Sequence, residues 1–264
     1  FDPYVSIDTS TLEVCVQIYD TLVTMNDDME IVPMLAEDWE SINDTTLRIS
    51  LKQGVKFHNG DEMTAEDVKF SIDRISNSSA AGYIFRFLDS VEIEDDYTVI
   101  FNTKEPFAPI LAHLSHPAAS ILNKTYVEEL GDEYGRSPVG TGAYKFVEWR
   151  QGDSVTLEAF EDHFRGATPT KELVFRAIPE ASQRTIGLET GELDIAYDIH
   201  PTGIETLEEY DNIIVKNVPG LRYFYLGLNT RKEPFGNVKV RQAVAHAVNK
   251  EVIANQIYEG TVSP

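Results

Sequence analysis

Residues 173–200 constrain the fold more than any other stretch, because the hydrophobic periodicity changes twice within them. A strand-like run is followed by a helical pattern that starts near Glu180 and is stopped by Gly191, and a second strand-like run comes next. Strand, helix and strand in this order predict a βαβ unit, which is typical of α/β layer architectures. The sequence therefore predicts an α/β protein built around a mixed sheet.

The C-terminal part extends this prediction. The run "LRYFYLGLNT" at 221–230 predicts a further strand. Residues 237–260 predict one long helix, or two helices in succession, that close at Gly260. Between these segments and the N-terminal part, Gly140 and Gly142 bracket Thr141 ahead of two strand-like runs. This pattern predicts a Gly-rich crossing between subdomains.

The N-terminal part combines helical and alternating patterns. "TLRISLKQGVKF" alternates as a half-buried strand does, and "VEIEDDYTVIFNTKEPF" predicts a hairpin joined at Asp95-Asp96. Pro109 and Pro117 limit the next apolar segment to a short helix followed by irregular chain. A first helix is predicted earlier, with Thr9 or Ser10 as its cap. Its predicted apolar face consists of Leu12, Cys15, Val16, Tyr19 and Val23.

Charge and cysteine content exclude several classes of partner and site. Forty-four acidic residues against 22 basic ones give a formal net charge of -22 and a pI near 4.5. Such a surface repels phosphate backbones and anionic headgroups, which argues against nucleic acid as a partner. The single cysteine, Cys15, permits neither an internal disulfide nor a Cys-based zinc site, and its apolar surroundings predict a buried, inert thiol.

Acidic residues crowd around the turn at Asn59-Gly60. The cluster consists of His58, Asp61, Glu62, Glu66 and Asp67. One hypothesis is a metal or acid–base site, for which His58 and two carboxylates would have to converge across the turn. The other is a structural joint between strand and helix, because Asn-Gly favours a tight turn and Thr64 with Asp67 forms a capping box. Carboxylates in a first helical turn also face the positive end of the helix dipole, so the sequence favours the joint.

Other catalytic patterns are weak or absent from the sequence. His113 and His116 are spaced i, i+3 and could share a helix face as metal ligands, but no Glu accompanies them in the manner of a zinc protease. Packing or surface roles are therefore favoured. The sequence contains no G-x-S-x-G, P-loop or G-x-G-x-x-G motif, so it supports neither a nucleophilic hydrolase nor a nucleotide-binding protein.

The strand predicted at 221–230 carries aromatic residues on both faces. Tyr223 and Tyr225 lie on one face, and Phe224 and Leu226 lie on the other. At least one face is expected to be core. The tyrosine face either joins that core or borders a ligand cleft, and the sequence leaves both interpretations open.

Short motifs along the chain also resemble a known family when they are taken in order. They are "FDPY", "IYDTLV", "IVPMLAEDWE", "LKQGVKFHNGDEMTAEDVKFSIDRI", "SPVGTGAYKFVEW", "IGLETGELDIA" and "LGLNTRKEPFGNVKVRQAVAHAVNKE". The series closely resembles the peptide- and nickel-type extracellular solute-binding proteins of ABC importers, which include dipeptide- and oligopeptide-binding proteins. The resemblance covers essentially the whole chain. It implies a structural role for "GVKFHNG…TAEDVKFS".

The resemblance implies an architecture that this chain fills only in part. Members of the family run to about twice this length. The resemblance implies one lobe of a two-lobe periplasmic-binding-protein-like fold, with an extra α+β subdomain. It assigns residues 1–20 and 140–264 to the core ligand lobe and residues 21–139 to the extra subdomain. It places the second lobe and the returning C-terminus outside this chain.

The resemblance also implies a function, which is to bind a solute without catalysing a reaction. The resemblance implies the substrate-binding component of an ABC importer, which takes short peptides outside the membrane and delivers them to a permease, with no cofactor and no catalytic residue. It implies a periplasmic or lipid-anchored cell-surface location. Nickel or another small solute is the alternative ligand, and a metal-dependent hydrolase using His58, His113 and His116 is the alternative from another class. The residues that match the family's cleft wall, and are predicted to contact ligand, are Ile7, Asp8, Thr9, Phe85, Tyr223 and Tyr225.

Overall fold

The computed structural model describes residues 1–5, 8–217 and 223–264. The chain divides into two units, Phe1–Ala177 and Ile178–Pro264. This division follows contacts within the chain and does not coincide with the predicted segments. The assignment of those segments to a core lobe and an extra subdomain stays a prediction.

The first unit combines helices with antiparallel sheets. Its helices are α1 (Thr9–Ile18), α2 (Ala65–Ser76), α3 (Ile110–Leu114) and α4 (Lys124–Leu130), and its strands are β1 (Val23–Met25), β2 (Ile31–Pro33), β3 (Ala36–Asn43), β4 (Thr46–Leu51), β5 (Leu88–Asp95), β6 (Thr98–Thr103), β7 (Tyr144–Arg150), β8 (Ser154–Ala159) and β9 (Glu172–Arg176). The described strands pair as a hairpin of β1 and β2, a sheet in the order β3-β4-β6-β5, and a sheet in the order β7-β8-β9. Every one of these ladders is antiparallel, so the described strands form antiparallel sheets rather than the mixed sheet predicted from the sequence.

The four-stranded sheet carries one side of the core. On β4 the alternate residues Leu47, Ile49 and Leu51 are buried, which confirms the predicted half-buried strand. Helix α2 packs against β5 and β6 and buries Val68 and Ile72. Each fully buried aliphatic side chain stabilises the fold by ~1.5–3 kcal/mol, so this helix–sheet contact is a main source of stability in the unit.

The hairpin and the proline-limited segment also form as predicted. Strands β5 and β6 pair through Asp95 and Thr98, so the turn lies one residue later than expected. Helix α3 begins directly after Pro109, and Pro117 starts a short 3₁₀ turn. The two strand-like runs after the Gly-rich crossing are β7 and β8.

The face of α1 differs from the prediction. Its buried residues are Val14, Cys15 and Ile18, whereas Val16 is 44% exposed. The helix ends at Ile18, so the last two residues of the predicted stripe lie beyond it: Tyr19 is the extended C-cap and Val23 begins β1. The predicted burial of Cys15 is confirmed, and this burial raises the pKa of its thiol to about 12.

The second unit is helical in its described part. Its helices are α5 (Ala181–Glu189), α6 (Pro201–Glu208), α7 (Val238–Ala247) and α8 (Lys250–Val252), followed by a π-helical turn at Ile253–Ile257. The segment 237–260 therefore forms two helices in succession, one of the two predicted alternatives. Among the helices that the structure describes in either unit, none is both long and apolar enough to cross a membrane.

The predicted βαβ unit is only partly formed. Strand β9 and helix α5 lie where they were expected, and Gly191 follows α5 with a φ of +72°. The second strand is wrong: residues 193–199 pair with no described strand, and β9 itself pairs antiparallel with β8. The strand predicted at 221–230 is also wrong for its described part, residues 223–230, which form no ladder. An extended run becomes a strand only when its backbone groups meet a partner, and alternation alone cannot supply that partner.

Hydrogen bonds from one arginine, rather than a ladder to a neighbouring strand, hold the segment 193–199. The Arg184 guanidinium donates to the carbonyl oxygen of Ile178 at 2.7 Å and to that of Pro179 at 2.9 Å. It also donates to the carbonyls of Tyr197 at 3.1 Å and Asp198 at 2.6 Å. One planar group with five donors thus joins the start of the second unit to the end of the segment that follows α5.

Candidate functional site

Two of the predicted ligand contacts lie at the N-terminus of α1. Asp8 is the helix cap, with its Oδ1 accepting from the backbone N–H of Thr11 at 3.0 Å. The cap predicted at Thr9 or Ser10 is therefore one or two residues too late. Thr9 is the first helical residue and is exposed, while Ile7 lies outside the described residues. The Asp8 carboxylate already accepts a hydrogen bond from the N-terminus of α1, so a ligand that contacts Asp8 would share this carboxylate with the helix.

Phe85 belongs to the core of the first unit. It ends a 3₁₀ turn at Gly82–Phe85, and only 2% of it is exposed. Its ring lies 5.8 Å from that of Phe87, which stacks at 4.0 Å on Phe107. A side chain so covered contributes to packing, and its contact with a ligand stays a prediction.

The two tyrosines of the second unit are open to solvent. Tyr223 is 82% and Tyr225 is 87% exposed, and Phe224 and Leu226 are largely exposed as well. The expectation that one face of this segment is core is wrong for the described structure, because no described strand pairs with the segment and both sets of side chains stay uncovered. The Phe224 ring does approach that of Tyr258 at 5.5 Å. Among the predicted contacts, Asp8 and Thr9 thus share a helix end and the tyrosines share one segment, while Phe85 lies in the core.

The C-terminal end of α1 rests on the predicted Gly-rich crossing. The N–H of Gly142 donates to the carbonyl of Ile18 at 2.9 Å. A Cβ added at Gly140 would lie 2.1 Å from that same oxygen, and one added at Gly142 would lie 2.4 Å from the carbonyl oxygen of Gln17. Only glycine permits so close an approach of two backbones. The crossing therefore fixes the position of α1, and with it the helix end that carries Asp8 and Thr9.

His58 holds the other side of this crossing. Its backbone N–H donates to the Gly140 carbonyl at 2.9 Å, its Nδ1 accepts from the Gly140 N–H at 3.3 Å, and its Nε2 lies 2.9 Å from the Gly142 carbonyl. A carbonyl can only accept, so the ring proton is on Nε2 and the imidazole is neutral. Burial lowers the pKa of His58 to about 4, and the ring packs edge-on against Phe160 at 5.0 Å. Both ring nitrogens are committed to backbone, which leaves none for a metal or a proton transfer.

The acids near Asn59-Gly60 each have separate partners. The donors are the Asn59 and Asn123 amides for Asp61, the Gly54 N–H and the Tyr97 hydroxyl for Glu62, and the Lys124 ammonium for Glu66. Gly60 adopts a φ of +93°, as the tight turn requires, and Thr64 with Asp67 forms the predicted capping box. The structural-joint interpretation is confirmed.

The remaining histidines of the rival hypothesis are bound to backbone as well. His113 Nδ1 lies 2.8 Å from the Ile84 carbonyl, and His116 Nδ1 accepts from the Ala118 N–H at 3.0 Å. Within residues 1–5, 8–217 and 223–264, no three His, Cys, Asp or Glu side chains come together in a way that could hold a metal ion. The geometry gives no support to a metal-dependent hydrolase.

One buried polar contact was not singled out from the sequence. The Thr141 hydroxyl donates to Asp20 Oδ2 at 2.9 Å, and both residues are buried. Two signals pointed to it: Asp20 is the charged residue within the apolar run "IYDTLV", and Thr141 is the polar residue between two glycines. This contact ties the crossing to the chain just beyond α1.

In the described part of the chain, these contacts tie a helix end, a turn and the Gly-rich crossing together. The family model for bacterial extracellular solute-binding proteins, family 5 (middle part), matches residues 30–264. The chain belongs to this family. Named family 5 relatives include the glutathione-binding protein GsiB of Pectobacterium atrosepticum, 33% identical, and that of Salmonella typhimurium, 30% identical. Each alignment covers 100% of this chain and 52% of the relative, so the chain spans about half the length of the curated relatives it matches.

Solved structures of similar binding proteins share the fold. The periplasmic binding protein DppA of Helicobacter pylori, in complex with the peptide STSA, has a TM-score of 0.90 and 33% identity over 98% of this chain and 56% of that one. The oligopeptide-binding protein AppA of Bacillus subtilis, with a nonapeptide, has a TM-score of 0.88 and 29% identity over 98% and 53%. NikZ of Campylobacter jejuni, with Ni(L-His), has a TM-score of 0.87 and 28% identity over 98% and 52%. The predicted fold, one lobe of a periplasmic-binding-protein architecture, is confirmed, and these relatives are binding proteins rather than enzymes.

Proposed function

We propose that this protein is the substrate-binding component of an ABC importer and captures short peptides outside the cytoplasmic membrane for delivery to a permease. The observation that carries the proposal is the likeness to DppA in complex with a peptide, at a TM-score of 0.90 over 98% of the chain. AppA in complex with a nonapeptide supports the same ligand class. Membership of family 5 supports a role in import.

The exposed segment 223–229 supports a peptide as the ligand. It carries Tyr223 and Tyr225 uncovered, and its backbone joins no ladder in the described structure. An extended peptide can bind such a segment through main-chain hydrogen bonds, which accept many sequences, while pockets select side chains. Tyrosine offers an apolar ring and a polar hydroxyl to the same ligand. The proposed contacts are Asp8 and Thr9 at the helix end and the two tyrosines here.

The proposal includes the architecture and location implied by the family. Residues 1–20 and 140–264 would form the core ligand lobe, and residues 21–139 the extra subdomain. The protein would work in the periplasm or anchored by lipid at the cell surface. It would perform no chemistry, which agrees with the commitment of both His58 ring nitrogens to backbone groups. An upstream gene sequence without any export signal would contradict the location.

A nickel chelate is the second candidate ligand. The observation that favours it is the likeness to NikZ in complex with Ni(L-His), at a TM-score of 0.87. Such a chelate could bind through its amino-acid part, without metal ligands from the protein. The two candidates therefore differ in the shape and charge of the ligand rather than in the fold.

Titration calorimetry on the full-length protein separates the candidates. The ligand panel is peptides of two to nine residues, the same peptides blocked at both termini, glutathione, and Ni²⁺ with excess L-histidine. We expect saturable binding of free peptides and weaker binding of blocked ones. Saturation by the nickel chelate alone would overturn the peptide assignment and keep the transport role. Stoichiometric zinc together with peptide hydrolysis would overturn the transport role itself.

A further inference from the structure

An arginine near the C-terminal end of α2 pairs with an aspartate far away in sequence. Arg74 Nη1 donates to Asp2 Oδ1 at 3.0 Å, and Arg74 Nη2 donates to Asp2 Oδ2. Only 27% of the Arg74 side chain and 11% of the Asp2 side chain are exposed. A planar guanidinium that binds both oxygens of a carboxylate fixes its orientation as well as its distance. The pair therefore holds Asp2 in one position relative to α2.

Tyr4 is held by the same arginine and by three hydrogen bonds. Its ring centroid lies 5.0 Å from Arg74 Cζ, within the range of a cation–π contact. Its backbone N–H donates to Asp2 Oδ1 at 3.0 Å, its carbonyl accepts from Ser78 Oγ at 2.6 Å, and its hydroxyl donates to the Ser120 carbonyl. Only 2% of Tyr4 is exposed. We call Asp2, Tyr4, Arg74, Ser78 and Ser120 the Asp2–Arg74 clamp.

The local sequence favours this clamp. Asp2 and Pro3 are residue types preferred at the first two positions of a β-turn, and the Val5 N–H closes the turn by donating to the Asp2 carbonyl at 3.2 Å. Arg74 belongs to a helix that is itself packed against β5 and β6. A contact made from a packed helix holds its partner more precisely than one made from a loop. The clamp therefore fixes a short turn on a rigid support.

The clamp lies close in sequence to the N-terminal end of α1. Tyr4 precedes the helix cap, Asp8, by four residues, which extended chain spans in at most ~14 Å. Thr9 follows as the first helical residue. The opposite end of α1 is held by the Gly-rich crossing, where the Gly142 N–H donates to the Ile18 carbonyl. The clamp therefore limits where the helix end that carries Asp8 and Thr9 can lie.

We propose that Arg74 is a positioning residue for ligand binding, because it holds Asp2 and Tyr4 and, through them, the N-terminal end of α1. This inference rests on the proposed function and on its contacts at Asp8 and Thr9. Arg74 itself is not placed in contact with the ligand. A helix end that is already in position binds more tightly than one that has to be ordered on binding, because ordering costs conformational entropy.

Hydrogen exchange of the free full-length protein tests the positioning without any ligand. The amides of Thr11 and Leu12 report on the helix end, because they donate to Oδ1 and to the carbonyl of Asp8, each at 3.0 Å. Arg74→Met keeps a long apolar side chain and removes the guanidinium. We expect these two amides to exchange about tenfold faster in the variant, while amides in the middle of α2 stay protected. Unchanged exchange at the helix end, or an equal rise throughout α2, would overturn the proposal.

A second arginine–carboxylate pair provides the matched control. Arg48 pairs with Glu94 at 2.7 Å in the four-stranded sheet. Arg48→Met removes this pair and should leave exchange at the start of α1 unchanged. If Arg74→Met fails to fold, Asp2→Asn, which keeps the size of the side chain and one oxygen acceptor, takes its place in both measurements.

Titration calorimetry with the same ligand panel tests the consequence for binding. We expect Arg74→Met to weaken binding of the best peptide by about fivefold or more. Arg74→Lys keeps the charge but not the planar fork and should recover part of the affinity, whereas Arg48→Met should bind as the wild type does. Faster exchange at the helix end with unchanged affinity in Arg74→Met would overturn the role in binding. A wild-type protein that binds nothing in the panel would overturn the proposed function, and the exchange of Thr11 and Leu12 would still decide whether Arg74 positions α1.

Discussion

Asp67 Oδ1 accepts a hydrogen bond from the backbone N–H of Lys124 at 2.9 Å, across a sequence separation of 57 residues. Its other oxygen, Oδ2, accepts from the backbone N–H of Thr64 at 2.9 Å. One buried carboxylate therefore serves the first turns of both α2 and α4. Burial raises the pKa of Asp67, and the hydrogen bonds from Lys124 and Thr64 act in the opposite direction. The motif that the sequence offered as a possible metal site instead joins two helices.

We expect Asp67→Ala to lower the free energy of unfolding by about 2 kcal/mol, because two helix N-termini each lose an acceptor worth about 1 kcal/mol. Thr64→Ala removes only one member of the capping box and should cost about 1 kcal/mol. Urea unfolding of the full-length protein measures both. The exposed neighbour Glu66→Ala is the control and should change little. Equal effects of the changes at 66 and 67, or a loss of ligand affinity at unchanged stability, would contradict a structural role.

The lowered pKa of His58 predicts that the protein loses stability in acid. Its pKa is about 4 in the folded protein and near 6.5 when unfolded, so the folded state favours the neutral ring. The stabilisation is complete above pH 6.5 and is lost as the pH falls from 6.5 towards 4, by up to about 3 kcal/mol. Burial lowers the pKa of His116 as well, so the test compares wild type with His58→Gln. The variant should be less stable at pH 7 and less sensitive between pH 6.5 and 4. Parallel stability curves would contradict this assignment.

The crossing beside α1 should not tolerate a methyl group. In Gly140→Ala the added carbon would lie 2.1 Å from the carbonyl oxygen of Ile18, and backbone must move to relieve the clash. We expect a loss of at least about 2 kcal/mol in the free energy of unfolding. Gly227→Ala is the matched control, because only a Tyr225 ring carbon lies within 4 Å, at 3.7 Å. Similar melting temperatures for the two variants would show that the crossing can shift freely.

Local patterns predicted the elements whose partners are close in sequence. The strand β4, the hairpin of β5 and β6 and the capping box at Thr64 all depend on side chains or turns a few residues apart. Alternation and capping chemistry are therefore sufficient to identify them. The contact of Asp67 with Lys124 could not be found in this way, because nothing in either segment indicates that the two helix ends meet.

The missed features depend on partners far away in sequence. Residues 193–199 have the alternation of a strand, yet Arg184 and not a neighbouring strand satisfies two of their carbonyls. The resemblance assigns Phe85 to the cleft wall, whereas the structure buries its side chain beside Phe87, so its contact with a ligand stays a prediction. An aromatic residue in a turn is compatible with either position. Only the three-dimensional arrangement decides which one it takes.

The predicted ligand contacts should divide into two groups when they are mutated in the full-length protein. Phe85 is 2% exposed, so Phe85→Ala should lower the free energy of unfolding by about 3–5 kcal/mol, and the molecules that remain folded should bind as before. Tyr225 is 87% exposed in the described structure, so Tyr225→Ala should change stability by less than about 0.5 kcal/mol. If Tyr225 borders the ligand, the same change should weaken binding of the best peptide by tenfold or more, the effect of losing about 1.4 kcal/mol of contact.

Thermal unfolding and titration calorimetry on the same preparations measure the two quantities, stability and affinity, separately. Asp8→Asn keeps an oxygen for the helix cap and serves as a charge control at the other proposed contact. Unchanged affinity in Tyr225→Ala, with a clear loss in Phe85→Leu at full folding, would reverse the assignment and place the ligand against the aromatic core.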